Sequence, residues 1–283
     1  MFERISNGFE LARSSWQVLR REKQLIVFPI LSGLGCLLVL ISFAVPMVAF
    51  APWDNWWDKQ GNWDAPPWVY AVAFAFYFCN YFVIVFCNAA LISCSLMSFN
   101  GQAPTINDGI QAAMSRLPQI FAWALVSATV GVVLKIIENA HEKAGYFISA
   151  ILGTAWTIMT YFVVPVLVVE KVGPFQAIGR SVQILKKTWG ESLVGHMRIG
   201  FFMFLLCLPG ILVCVLGFLM LATNALMGAF ILGLGLIYVV GCTVVSSALD
   251  VIFLSAVYQF AANQQVPAGF DAHVLERAFE PKK

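Results

Sequence analysis

The sequence predicts an all-α membrane protein with six transmembrane helices, and three observations lead to that prediction. Apolar residues make up 60% of the chain and charged residues 11%, which is about half the charged share of a typical soluble domain. The apolar residues are gathered into six long stretches, and a spanning helix needs about 20 mostly apolar residues. Lys and Arg are concentrated in alternate segments between these stretches. Together the three observations argue against a single water-soluble globule.

Each predicted span is a helix, because backbone polar groups in lipid must be hydrogen-bonded within the segment and no stretch alternates as barrel strands do. The predicted spans cover residues 25–50, 68–99, 117–137, 146–169, 193–221 and 225–260. Residues 1–24 are predicted to form an interfacial helix and residues 261–283 a cytoplasmic tail. On this interpretation, residues 1–283 form a single integral membrane domain.

The basic residues predict the orientation, since Lys and Arg are retained on the cytoplasmic side of a membrane. With the N terminus in the cytoplasm, fourteen of the seventeen Lys and Arg residues fall on the cytoplasmic side. The other three are Lys59, Lys135 and Lys143. We therefore expect a protein of the inner or plasma membrane with both termini in the cytoplasm. Clustered cytoplasmic charges favour anionic lipids as partners, and a net charge of +2 gives no reason to expect nucleic acid.

Three cytoplasmic segments have the hydrophobic period of amphipathic helices. They cover residues 2–19, 105–117 and 174–189. Thr105 is the expected N-cap of the second, with Asp108 three residues on, and Pro174 suits the first turn of the third. Helices with one apolar and one basic face are expected to lie in the headgroup region.

Each interfacial helix precedes a pair of spans, so the chain reads as three diverged helix-plus-hairpin repeats. The equivalent positions are Phe9, Ile110 and Phe175. An alternative explains the pattern equally well: any helix that leads from the cytoplasm into a span must be amphipathic.

Two features of the predicted spans concern helix geometry. Pro209-Gly210 is the strongest candidate for a helix break, because proline frees backbone carbonyls and kinks a helix. The sixth predicted span offers small surfaces for close helix contact. These are Gly228, Gly233, Gly235 and Gly241.

No catalytic or nucleotide-binding motif occurs in the sequence. It has no phosphate-binding Gly-x-x-x-x-Gly-Lys loop and no Gly-x-Ser-x-Gly elbow, and His141-Glu142 does not continue as a zinc motif. The seven cysteines all fall inside predicted spans without a Cys-x-x-Cys pair, as expected of packing residues. We therefore predict a protein that is not an enzyme and has no catalytic, metal or cofactor site.

Asp250 is the main candidate for an intramembrane polar site. It is placed about 15 Å along the helix from the cytoplasmic end of the sixth predicted span. Thr243, Ser246 and Ser247 precede it by seven, four and three residues, so they lie on roughly the same helical face. Arg198 is the expected cationic partner. We favour a structural ion pair, with a transport or proton-relay role as the alternative.

Asn80 and Asn88 add polar groups to the second predicted span. They are eight residues apart and therefore face in similar directions. Hydrogen bonds between helices are the expected use of such amides, and a substrate path is the alternative.

Three stretches carry a resemblance to a known family. They are Asn7-Gly8-Phe9 through Trp16 before Phe28-Pro29, the pattern Glu-x-x-Gly-Pro-Phe-x-Ala-Ile-x-x-Ser from Glu170, and Ala256-Val257-Tyr258 to Pro267. The chain thereby resembles an uncharacterised family of prokaryotic multi-pass membrane proteins, a domain of unknown function. Its architecture is similar to the membrane domain of some glycerophosphodiester phosphodiesterases, but we expect no catalytic barrel here. The resemblance implies no functional residues.

The sequence favours a non-enzymatic membrane scaffold that organises lipids, other membrane proteins or copies of itself. The alternative is a small transporter or channel subunit that uses Asp250 and the polar face of the second span.

Overall fold

A computed structural model describes residues 13–50, 66–140, 144–187 and 191–270. Over these residues every regular element is a helix, as predicted, and a short 3₁₀ turn at Lys23–Ile26 precedes the first long one. The helices are α1 (residues 13–21), α2 (Val27–Phe50), α3 (Pro67–Phe99), α4 (Ile106–Met114), α5 (Leu117–Ala140), α6 (Ala144–Met159), α7 (Val163–Glu170), α8 (Pro174–Lys187), α9 (Glu191–Met220) and α10 (Ala225–Asn263).

Six stretches of these helices are long and apolar enough to cross a membrane, which confirms the predicted number within the described residues. They are Lys23–Ala49, Pro67–Phe99, Leu117–Glu138, Gly145–Glu170, Met203–Met220 and Ala225–Asn263. Helix α9, which contains the fifth, begins at Glu191, close to the predicted start at residue 193. The sixth extends three residues past its predicted end at Phe260.

Helices α1, α4 and α8 occupy the three segments predicted to be interfacial, and each precedes a span. Pro174 is the first residue of α8, as predicted. Two parts of the predicted architecture lie outside the described residues. They are residues 1–12 of the predicted N-terminal helix and residues 271–283 of the predicted cytoplasmic tail. The order of elements matches the three-repeat scheme, and the common origin of the repeats stays a prediction.

A helix break occurs in the fourth span and not in the fifth, so the prediction for Pro209-Gly210 is wrong. A turn at residues 160–162 separates α6 from α7, and Pro165 follows in the first turn of α7. Proline clashes with the carbonyl four residues earlier, which here belongs to Tyr161 in the turn. In contrast, α9 continues through Pro209. The Tyr238 hydroxyl of α10 donates to the Leu206 carbonyl at 3.0 Å, next to the Leu205 carbonyl that Pro209 leaves without an intrahelical donor.

The chain forms two compact units, each built from separated segments. The first unit contains the described residues up to 30, residues 91–109 and those from 184 onward. The second contains residues 31–90 and 110–183. The predicted single domain covering residues 1–283 stays a prediction.

Aromatic side chains join the helices of the second unit. Phe43 of α2 meets Phe76 of α3 with ring centroids 5.7 Å apart and planes at 70°. Trp123 of α5 stacks on Trp156 of α6 at 5.8 Å. These pairs join consecutive antiparallel spans, and such contacts contribute about 0.5–1.5 kcal/mol each beyond burial of area.

Four of the spans are buried mainly at one end and exposed or half-buried along most of the rest of their length. In α2, Leu25 and Phe28 at the start are buried, whereas residues 30–49 are exposed or half-buried. In α3 the order is reversed, and burial begins at Val85. In α10 it is largely confined to residues 248–259. The fourth span is likewise buried mainly from residue 162. In each case the buried end is the one that the basic residues predict to be cytoplasmic.

Helices α9 and α10 of the first unit approach closely at glycines. A Cβ on Gly217 would lie 2.5 Å from the backbone nitrogen of Leu232, and one on Gly235 would lie 2.8 Å from that of Cys214. Gly228 is equally close to the backbone of Leu221, but a Cβ on Gly233 would have nothing within 4 Å. Of the four glycines predicted to allow close contact, Gly228 and Gly235 do so, and Gly233 and Gly241 face open space.

These glycines provide a matched test of the hairpin. We expect Gly235→Ala to destabilise the full chain by about 1–3 kcal/mol, because the methyl group collides with the α9 backbone. Gly233→Ala, two residues away, should be neutral or stabilising by up to about 1 kcal/mol, since alanine is the better helix former. Thermal unfolding in detergent micelles measures both. Equal effects of the two substitutions would contradict the close approach at Gly235.

Candidate functional site

Helix α8 has one face buried in protein and a neighbouring apolar face that is largely exposed. Ala177, Ser181 and Ile184 recur at spacings of four and three and are fully or almost fully buried in protein. The neighbouring stripe is formed by Phe175, Ile178 and Val182. In this stripe Phe175 is 77% exposed, and the other two are half-buried. One face therefore packs on the protein and the other faces outward.

Two side chains of α8 hold it to the end of the fourth span. The Arg180 guanidinium donates from Nε to Oε1 of Glu170 at 2.8 Å. The Ser181 hydroxyl accepts a hydrogen bond of 3.0 Å from the backbone N–H of Phe162, at the break between α6 and α7. The serine thus satisfies a backbone group that a continuous helix would have paired internally. The orientation of the exposed stripe is fixed against the fourth span.

Arg116 is a second basic residue bound to the fourth span. Its Nε donates to the carbonyl of Val168 at 3.1 Å, near the end of α7. The terminal carbonyls of a helix lack intrahelical donors and carry partial negative charge, so a guanidinium is a favourable partner there. Helix α7 ends at Glu170, and the residue that follows, Lys171, adopts the left-handed backbone conformation of a C-cap.

Helix α4 begins with the predicted capping box. Asp108 Oδ2 accepts from the backbone N–H of Thr105 at 2.9 Å and from its hydroxyl at 2.7 Å. The Thr105 hydroxyl accepts in turn from the Asp108 N–H at 3.2 Å. These bonds from the Thr105 hydroxyl and then its N–H lower the pKa of the exposed Asp108 carboxyl. The predicted N-cap is confirmed.

The polar stripe predicted around Asp250 lies at the surface of α10. Thr243 and Ser247 are exposed, and Ser246 is half-buried. The Thr243 hydroxyl donates to the Val240 carbonyl of its own helix at 2.9 Å. Asp250 is half-buried, with Oδ1 enclosed by protein.

The length of α10 bears on the depth of Asp250. The helix has 39 residues and is therefore about 58 Å long, roughly twice the hydrocarbon thickness. Its first residues are strongly exposed and apolar, with Leu226 at 85% exposure. About 20 residues counted from Ala225 reach Val245. If the hydrocarbon layer begins at Ala225, Asp250 falls about 7 Å beyond its other boundary, in the part of α10 that protein buries.

The remaining predicted polar residues are Arg198, Asn80 and Asn88. The side chain of Arg198 lies outside the described part of the structure, so the proposed ion pair stays a prediction. The Asn80 amide donates to the Phe76 carbonyl of its own helix at 2.9 Å, where a bond between helices was expected. Asn88 is half-buried, and its predicted role is untested.

Within the described residues, no group of three or more His, Cys, Asp or Glu side chains is arranged to hold a metal ion. All seven cysteines lie in the spanning helices as free thiols. The contact of Gly235 with Cys214 shows that at least this cysteine serves helix packing.

A groove of about 340 Å³ in the first unit joins residues that the sequence did not bring together. We call it the basic groove. Its lining residues are Trp16, Leu19, Arg20, Lys23, Ile26 and Val245. Four of these residues, Trp16, Leu19, Arg20 and Lys23, recur at helical spacing, which the sequence shows. Nothing in the sequence indicated that Val245 would form part of the same groove.

The chain belongs to a family of unknown function, DUF6159, whose family model matches residues 68–269. This confirms the resemblance to an uncharacterised family. No curated protein sequence was found to match the chain. The matched segment contains α8, its bonds to the fourth span, and most of both units.

Loss of the Ser181 hydroxyl tests how α8 is anchored. We expect Ser181→Ala to destabilise the chain by about 1–3 kcal/mol, because the N–H of Phe162 would be left buried without an acceptor. Ser115→Ala is the control, since the exposed Ser115 hydroxyl bonds only the Ala112 carbonyl of its own segment. Unfolding temperatures in detergent compare the two. A Ser181→Ala change as mild as the control would show that this bond does not hold α8.

The capping box predicts a pH dependence for α4. A carboxyl whose pKa is lower in the folded than in the unfolded chain stabilises the fold above its unfolded pKa, near 3.8. That stabilisation is lost as the pH falls through the lower folded value. Asp108→Asn should therefore lower the unfolding temperature at neutral pH, and the difference from the unsubstituted chain should close below about pH 4. Gln111→Ala on the exposed side of α4 is the control. A difference that is independent of pH would contradict the ionised cap.

Proposed function

We propose that this chain is a non-enzymatic scaffold of the cell membrane that organises anionic lipids or partner proteins along its cytoplasmic face. Its surfaces for this purpose are the interfacial helices. The observation that carries the proposal is the outward stripe of Phe175, Ile178 and Val182 beside the protein-packed face of α8. A helix buried on one face and apolar on the next is suited to lie between protein and bilayer.

The physical reason is the amphipathic character of α8. Apolar side chains of an interfacial helix enter the acyl boundary, and basic side chains on the other face meet anionic headgroups. Lys186, near the end of α8, is exposed and follows Val182 by four residues, so it lies at the end of the outward stripe. Each Lys or Arg near an anionic surface contributes about 1 kcal/mol. Helix α1 repeats the arrangement, with Trp16 46% exposed and Arg13 exposed one turn earlier.

The proposed orientation has both termini in the cytoplasm. It is supported by the fourteen-to-three division of basic residues. The burial of the first four spans also supports it, because these spans are buried at alternate ends, as expected if protein covers them on one side of the membrane. Each of α1, α4 and α8 precedes a span in the sequence.

A small transporter or channel subunit is the second candidate. It is favoured by the enclosed Oδ1 of Asp250, since a carboxylate near the membrane often has a functional role. Two observations weigh against it. The hydroxyl stripe beside Asp250 is largely exposed, and a count of about 20 residues from Ala225, the length of a membrane crossing, ends before Asp250. A structural role for Asp250 is the better-supported proposal.

The scaffold proposal is tested on the outward stripe of α8. A chain with Phe175→Ser, Ile178→Ser and Val182→Ser should retain several-fold less anionic lipid when it is extracted from vesicles of phosphatidylglycerol and phosphatidylcholine. Quantitative lipid mass spectrometry measures the retained lipid, and cross-linking in membranes measures partner or self association. The control is Gln176→Ser with Gln183→Ser, on the exposed polar side of the same helix.

Two results would contradict the proposal. One is unchanged lipid retention and cross-linking in the α8 variant. The other is solute flux through reconstituted vesicles that Asp250→Asn abolishes while leaving the unfolding temperature unchanged, which would favour the transporter.

A further inference from the structure

The basic groove combines a cationic rim with an apolar wall. Leu19 is buried, Ile26 and Val245 are half-buried, and together they supply the wall. Arg20 and Lys23 are exposed at its rim. The volume of about 340 Å³ falls at the lower end of the range of about 300–1,000 Å³ for pockets that bind small molecules.

The two cations of the groove make no ion pair within the described part of the chain. Their neighbour Arg21 does, with its Nε 3.4 Å from Oε1 of Glu22. That pairing holds the Glu22 carboxylate to a residue that does not line the groove. Among the described residues, no carboxylate is paired with Arg20 or Lys23.

The groove lies where the membrane surface is expected. Val245 is about 20 residues from the start of α10, the length that crosses the hydrocarbon layer. Ile26 ends the 3₁₀ turn that leads into the first span, whose exposed apolar surface begins at Ile30. Trp16 is half-exposed at the groove, and tryptophan prefers the interface between headgroups and acyl chains. Two helices thus mark the same depth independently.

We propose that the basic groove binds the headgroup of an anionic phospholipid. The phosphodiester lies between Arg20 and Lys23, and the glycerol end of the acyl chains follows Leu19, Ile26 and Val245. The indole of Trp16 borders the headgroup. This inference rests on the proposed function, of which it specifies one lipid site. Charge selects the anionic headgroup, and the apolar wall distinguishes a lipid from a soluble phosphate, which has no apolar part to cover it.

The test uses the full chain in a mild detergent, with unfolding temperature as the readout of binding. Phosphatidylglycerol should raise the unfolding temperature in a concentration-dependent way, because a ligand that binds only the folded state stabilises it. Phosphatidylcholine and inorganic phosphate at equal concentration should have much smaller effects. In the double variant Arg20→Gln, Lys23→Gln the apparent affinity for phosphatidylglycerol should fall by about tenfold or more.

Three further variants keep the test independent of folding defects. Arg21→Gln removes an adjacent positive charge outside the groove and should leave phosphatidylglycerol binding within about twofold of the original. Arg20→Lys with Lys23→Arg preserves both charges and should retain binding. Val245→Phe narrows the apolar wall without changing charge and should weaken binding of phosphatidylglycerol. Each variant is compared with its own unfolding temperature in the absence of lipid.

Several results would overturn the inference. Equal stabilisation by phosphatidylcholine would remove the role of charge, and equal stabilisation by inorganic phosphate would indicate a soluble anion site. Equal losses in Arg21→Gln and in the double variant would indicate a diffuse surface effect.

The α8 variant separates this inference from the proposed function. If the serine-substituted stripe loses bulk lipid retention but phosphatidylglycerol still stabilises the chain through Arg20 and Lys23, both proposals stand. If α8 has no effect and groove binding persists, the scaffold proposal fails alone. If groove binding is absent while α8 controls lipid retention, the groove assignment fails alone.

Discussion

The apolar surface that the spans leave uncovered is the constraint on which the rest of the structure depends. Side chains such as Leu38, Ile151 and Phe218 are each 68% exposed, and that surface is stable only against lipid. Lipid offers no partners to backbone polar groups, so these segments must be helices with internal hydrogen bonds. Protein burial is then concentrated at one end of the spans, where the chain can use ordinary packing. The interfacial helices lie beside these ends in sequence.

Polar side chains in the spans follow the same constraint. The hydroxyls of Thr129, Thr154 and Ser255 each donate to the carbonyl four residues earlier, and the Asn80 amide does likewise. Such local bonds satisfy polar groups without requiring a neighbouring helix. Among the side chains that reach another element, Ser181 meets the break before α7, Arg116 meets the last turn of α7, and Tyr238 of α10 meets the Leu206 carbonyl of α9. A polar residue in a span is therefore a weak guide to a site unless its side chain reaches another element.

The sequence predicted features that depend on local chemistry and missed those that depend on a distant partner. Hydropathy predicted most span boundaries to within a few residues. Local sequence also predicted the N-cap of α4, made by Thr105 and Asp108, and the start of α8 at Pro174. The break was expected at Pro209, where α9 is continuous, but occurs before Pro165, where the Ser181 hydroxyl of α8 satisfies the Phe162 N–H. Likewise, Gly233 and Gly235 look alike in sequence, and only the position of α9 distinguishes them. The basic groove escaped prediction because Val245 is far from its other residues along the chain.

The proposed scaffold function, the lipid site and the interpretation of Asp250 all require that the basic ends of the spans share the cytoplasmic side. The most direct test is the accessibility of epitope tags at the two termini and in the segment around Lys59, probed with protease or antibody on intact cells and after permeabilisation. The account predicts that both terminal tags are reached only after permeabilisation and that the tag near Lys59 is reached from outside. Terminal tags found in opposite compartments would contradict it.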